Sequence, residues 1–124
     1  MKKEKNIEIG ALGEEIASIF FENKGYSVIE KNYRKKWGEI DLITVKDGVI
    51  HFVEVKSVGN IYNTLQMPEE NVHEKKLKRL ARTIQTYLSE KGEEETEWQL
   101  DVVAVFLNIQ KKTAEVRMTE NVFA

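Results

Sequence analysis

The chain has 124 residues, 41% of them hydrophobic, and a formal net charge of -2, which suits one domain and leaves too little length for two independent cores. It has no cysteine, which excludes disulfides and cysteine-ligated zinc; with no signal-like or membrane-length apolar run, a cytoplasmic protein without a membrane partner is expected. The charge balance excludes binding of nucleic acid by overall basicity, though not by local patches.

Over residues 9–24, Leu12, Ile16, Ile19 and Phe20 follow the spacing of an amphipathic helix, with Gly25 as its stop. Residues 26–33 hold Val28 and Ile29 and run into the basic cluster Lys31, Arg34, Lys35 and Lys36, which predicts a first strand. Residues 40–45 and 49–55 are rich in β-branched and aromatic types and flank Asp47-Gly48, so they predict a hairpin with a two-residue type I′ turn. The stretch 57–71 has no clear period and contains Pro68, so it reads as a surface loop. A second helix is expected from Glu69 or Val72 to Lys91, with Leu77, Leu80, Ala81, Ile84 and Leu88 on one face. Its other face carries most of a second basic cluster, Lys75, Lys76, Lys78, Arg79 and Arg82. Strands over 100–107 and 113–118 close the chain. The expected fold is α/β, a central mixed β-sheet flanked by helices in the order α-β-β-β-α-β-β, as a single domain over 1–124.

A two-residue turn pairs Lys46 with Val49, and counting outward places Asp41 opposite Glu54. Side-chain alternation puts Lys56 and Glu39 on the same side, so four ionisable groups gather at one end of the hairpin. Ile43, Val45, Ile50 and Phe52 share that face while Ile40, Leu42, Val53 and Val55 take the other, so both sides read as buried. Opposed carboxylates in such a place need compensation. One reading is a salt-bridge set in which Lys56 and nearby arginines neutralise both acids. The other is a divalent cation, Mg²⁺ or Mn²⁺, held by Asp41 and Glu54 as hard oxygen ligands, with Lys56 orienting or deprotonating water or stabilising charge on a phosphate.

Taken together, "GALGEEIA", "GYSVIEKNYR", "GEIDLI", "FVEVKS" and "LDVVAV" resemble the YraN-like family of uncharacterised bacterial proteins. That family is similar to archaeal Holliday-junction resolvases within the PD-(D/E)xK, or restriction-endonuclease-like, nucleases. The resemblance implies a restriction-endonuclease-like core, a Mg-dependent phosphodiesterase or endonuclease activity on DNA, and a homodimer. By motif position it makes Asp41, Glu54 and Lys56 the site residues, adds Glu14 as a further catalytic and metal-binding acid, and places Lys76 at the site edge. It also implies a basic residue two positions after the motif lysine, where this chain has Val58. Asp101 belongs to a family motif too, but in so apolar a strand a structural hydrogen-bonding or ion-pair role is expected rather than metal binding.

The nucleic-acid contacts expected from the basic clusters are Lys31, Arg34, Lys35, Lys36, Lys76 and Arg79, with Tyr33 and Trp37 as rings for unpaired bases or as ordinary packing. No base-reading element is present, which predicts structure-selective binding of branched or partly single-stranded DNA. The alternative is a non-catalytic protein that binds nucleic acid or a partner on a nuclease-like scaffold. Paired-carboxylate glycoside hydrolysis fits less well, because opposed hairpin acids sit too close for an inverting enzyme.

Overall fold

The computed structural model describes residues 2–59 and 74–123, with side chains from residue 8 onward. Its elements are α1 (Lys2–Asn23), β1 (Ser27–Lys35), β2 (Gly38–Lys46), β3 (Val49–Gly59), α2 (Glu74–Glu90), β4 (Trp98–Asn108) and β5 (Thr113–Thr119). This is the expected α/β order. The strands form one sheet in chain order, antiparallel throughout except for the parallel β3–β4 pair. A parallel pair requires a crossover, and α2 lies within it.

The two helices cover opposite faces. On one face Leu80, Ile84 and Leu88 of α2 are buried with Ile43, Phe52 and Leu100. On the other, Ala17 and Phe21 of α1 are buried with Leu42, Val53 and Val103. Neighbouring strand residues thus divide between the two clusters, as period-two alternation requires. The β2–β3 turn has φ of 51° at Asp47 and 78° at Gly48; two successive positive values are what a type I′ turn demands, and Gly48 supplies one without Cβ strain.

Three local readings are corrected. Leu12 and Ile19, expected on the buried stripe of α1, are 44% and 48% exposed. The face that meets the sheet instead runs through Gly13, Ala17 and Phe21. Close approach explains the rotation, since a Cβ at Gly13 would lie 1.8 Å from Ser57 Oγ, and only a small residue lets the helix sit so near. The third strand, expected to end at Val55, continues to Gly59 because β4 pairs with it as far as Gly59↔Leu107; Ser57 and Val58 are strand residues, not loop. Ile40, expected opposite Ile43, joins it in the α2-side cluster. The rest of the expected loop and the start proposed for the second helix, at Glu69 or Val72, lie outside the described residues.

Candidate functional site

The β2–β3 pairs run from Lys46↔Val49 to Leu42↔Val53, so Asp41 and Glu54 stand one step beyond the last pair. There the side chain replaces the ladder: Val55 N donates to Asp41 Oδ2 at 2.7 Å. A carboxylate lying between two strands accounts for the lost alternation at Ile40. Both acids are buried, Asp41 at 9% and Glu54 at 5% exposure. They line a cleft of about 220 Å³ together with Gly38, Glu39, Lys76 and Arg79. Glu14 and Lys56 line a second cleft of about 290 Å³ on the α1 side.

Two ammonium groups converge on one oxygen. Lys76 Nζ lies 2.8 Å and Lys56 Nζ 3.5 Å from Glu54 Oε1. Burial pulls the Lys56 pKa below its ordinary range, and its hydrogen bond with Lys76 lowers it further. For Lys76 burial is again the largest single effect and lowers the pKa, but its hydrogen bonds to Glu54 and Lys56 and the charges of Glu54 and Asp41 together outweigh it, so the pKa is raised. Among the described residues Asp41 has no such partner. Burial and then the Glu54 charge push it up to about 8, against the lowering effect of the Val55 hydrogen bond. Glu14 is raised too, first by burial and next by Glu39.

Asn32 joins these acids. Its φ is 53°, a left-handed conformation that asparagine tolerates better than most residues. With its amide nitrogen turned inward it donates to Glu14 Oε1 and Glu39 Oε1, each at 3.0 Å. This bridge between α1 and the β1–β2 edge had no clear sequence signal beyond an asparagine interrupting a strand pattern.

Glu14, Glu39, Asp41 and Glu54 are hard oxygen donors that influence one another electrostatically, and Mg²⁺ or Mn²⁺ prefers such donors. Among the described residues no three acidic or histidine side chains yet converge as a ready-made metal cage. Lys76 instead sits on Glu54 and supplies one positive charge where a cation would supply two. The donor chemistry suits such an ion, with Glu54 and Asp41 as the residues that would hold it.

The expected nucleic-acid contacts divide into groups. Lys31 pairs with Glu15 at 3.6 Å, Arg34 with Glu39 at 3.1 Å and Lys35 with Glu90 at 2.7 Å. Lys36 is exposed. Arg79 lines the acidic cleft beside Lys76. Tyr33 is not a free ring: it is buried, donates to Glu90 and meets Tyr87 edge-on with centroids 5.2 Å apart. Trp37 is covered by Arg82, whose guanidinium carbon lies 4.1 Å from the ring centroid. Asp101 has the structural role expected of it. Fully buried, it accepts from Gln99 Nε2 at 2.8 Å and Asn121 N at 2.9 Å and lies 2.8 Å from His51 Nδ1. No helix of the described residues is long and apolar enough to cross a membrane.

Residues 13–105 match the uncharacterised protein family UPF0102. A UPF0102 protein of Chloroherpeton thalassium is 36% identical over 118 residues, covering 95% of this chain and 90% of the relative. Another, from Alkaliphilus metalliredigens, is 41% identical over 104 residues, covering 84% and 90%. A third, from Alkaliphilus oremlandii, is 35% identical over 118 residues, covering 95% and 99%. With these relatives matched over nearly their whole length, the chain belongs to the uncharacterised protein family UPF0102, in agreement with the YraN-like resemblance of its motifs.

Proposed function

We propose that this protein is a metal-dependent endonuclease that hydrolyses phosphodiester bonds of DNA, selecting branched or partly single-stranded structure. The observation that carries the reading is the buried Asp41–Glu54 pair, open to a cleft, with both lysines directed at Glu54. A salt-bridge set alone accounts for it less well, because both lysines fall on Glu54 and, among the described residues, Asp41 has only a backbone donor.

Asp41 and Glu54 would hold Mg²⁺ or Mn²⁺, with Glu14 as a further acid. Bound there, the ion would supply positive charge to the scissile phosphate and acidify water. Lys56 has two tasks open to its position. Its lowered pKa suits it to take the proton of the attacking water, and its ammonium form would then face the charge that develops on the phosphate. Water attacks phosphorus, the bond to the leaving strand breaks, and that strand's oxygen takes a proton from solvent. Asn32 bridges Glu14 and Glu39 by donating to both. A homodimer would present two such sites to a two-fold symmetric junction.

The test is cleavage of labelled single-stranded, duplex, flap and four-way-junction DNA with Mg²⁺ or Mn²⁺ by wild type, Glu54→Ala and Lys56→Ala. Metal-dependent cutting that both substitutions abolish supports the reading. Folded wild type that cuts none of these substrates favours a non-catalytic nucleic-acid-binding or partner-binding protein.

A further inference from the structure

A third, larger cleft of about 610 Å³ opens beside the acidic one, lined by Arg34, Lys36, Trp37 and Arg82 among others. The two share Gly38, Glu39 and Arg79, so a chain-like ligand can run through both. Gly38 forms the passage: a Cβ there would lie 2.4 Å from Thr83 Oγ1 and 3.3 Å from Arg79 O, so the start of β2 rests directly on α2.

Charge in the cleft is unevenly spent. Arg34 is engaged by Glu39 and Lys35 by Glu90, whereas Lys36, Arg79 and Arg82 form no ion pair among the described residues. Lys76, Arg79 and Arg82 recur every three residues on α2, which makes a row of cations rising about 4.5 Å per step from Glu54 towards Trp37. Trp37 adds a donor. Among the described residues its Nε1 is buried without a hydrogen-bond partner, beneath the Arg82 guanidinium, a condition that costs free energy until an acceptor arrives.

We infer that this cleft is the track of an unpaired nucleic-acid strand. Arg79 and Arg82 hold the phosphates next to the scissile one, and Trp37 Nε1 becomes available to a phosphate oxygen when Arg82 turns onto the backbone. The inference rests on the phosphodiesterase reading above and adds to it a strand class and a path. At about 610 Å³ the cleft has the size of pockets for drug-sized ligands, roughly 300–1,000 Å³, which is room for a short run of single strand. An acidic peptide would match the basic cleft, but its next residues would meet Asp41 and Glu54. A nucleic-acid strand continues there with the bond that those residues would act on.

Fluorescence anisotropy in EDTA, where no metal-dependent cutting occurs, tests the track with labelled oligothymidine, the corresponding duplex and an oligoglutamate peptide. Wild type is expected to bind the single strand most tightly. Arg82→Ala should weaken that binding about tenfold and reduce the slope of log affinity against log salt by about 0.7. Arg82→Lys keeps the charge without the planar stack and should lose less. Trp37→Phe keeps the ring without the donor and should bind about threefold more weakly, while Lys112→Ala, in the β4–β5 turn, binds as wild type. Tighter binding of duplex or peptide, or wild-type affinity in Arg82→Ala, overturns the track. The two readings fail separately. Arg82-dependent strand binding without any cleavage keeps the track and removes the nuclease, and Glu54-dependent cleavage with unchanged Arg82→Ala binding does the reverse.

Discussion

Lys76 of α2 reaches across the cleft to Glu54 of β3, with Nζ 2.8 Å from Oε1. Glu54 is buried, so this contact offsets part of the cost of keeping a carboxylate out of water. A metal at Glu54 has to displace it. Lys76→Met should therefore destabilise the metal-free protein by about 1–3 kcal/mol, lowering Tm by several degrees in EDTA. Saturating Mn²⁺ should restore most of that loss and should stabilise the variant more than wild type. Equal Tm values in EDTA, or no gain with Mn²⁺, would show that Lys76 neither supports Glu54 nor competes there.

Asp41 gives a pH signature. Its folded pKa of about 8 lies above the ordinary 3.8, so between those values the folded state retains a proton that the unfolded state releases. Stability must then fall as pH rises from about 4 to 8, with the loss complete above 8. Asp41→Asn keeps an oxygen for the Val55 amide and removes the ionisation. Chemical denaturation in EDTA at pH 8.5 should find this variant about 1–3 kcal/mol more stable than wild type, with the difference shrinking towards pH 4. A parallel pair of pH profiles would contradict the buried, undercompensated carboxylate.

The seat of α1 can be tested independently of chemistry. Gly13→Ala improves helix propensity by roughly 1 kcal/mol, yet its new Cβ would fall 2.8 Å from Ser57 Cβ, which no side-chain rotation relieves. Overpacking should win, with a net loss of about 1–3 kcal/mol. Adding Ser57→Gly should return most of it. If Gly13→Ala is as stable as wild type, the helix does not sit as close to β3 as the structure places it.

Asp101 supplies the contrast with Asp41. It accepts Gln99 Nε2 and Asn121 N and lies within hydrogen-bond distance of His51 Nδ1, with no solvent exposure. Asp101→Ala strands these partners and should cost about 3 kcal/mol or more. Mn²⁺ affinity of the folded variant should match wild type. Loss of metal binding at temperatures where the variant stays folded would move Asp101 into the site.

The hairpin was legible because one dipeptide fixed its turn and the turn fixed its register, so Asp41 and Glu54 could be brought together by counting. The same counting failed one residue later. The Asp41 carboxylate enters the strand gap, and Ile40 turns to the α2 side. In α1 the largest apolar residues misled, since Leu12 and Ile19 stay exposed while Gly13 and Ala17 define the contact; closeness of backbone approach has no hydrophobic signature. The length of β3 depended on β4, a partner distant in sequence. Tyr33, beside a basic cluster, could be read as a stacking ring or as ordinary packing, and its ring belongs to the α2-side core. Glu14 was nameable only by resemblance, and its neighbour Asn32 emerged from a positive φ that no periodicity encodes.

The most direct measurement is calorimetric titration of Mn²⁺ into wild type, Asp41→Ala and Glu54→Gln, each first shown to be folded. The account predicts a saturable site in wild type that both substitutions remove. Absence of binding in wild type, or equal binding in all three proteins, would contradict a metal centre at the end of the β2–β3 hairpin.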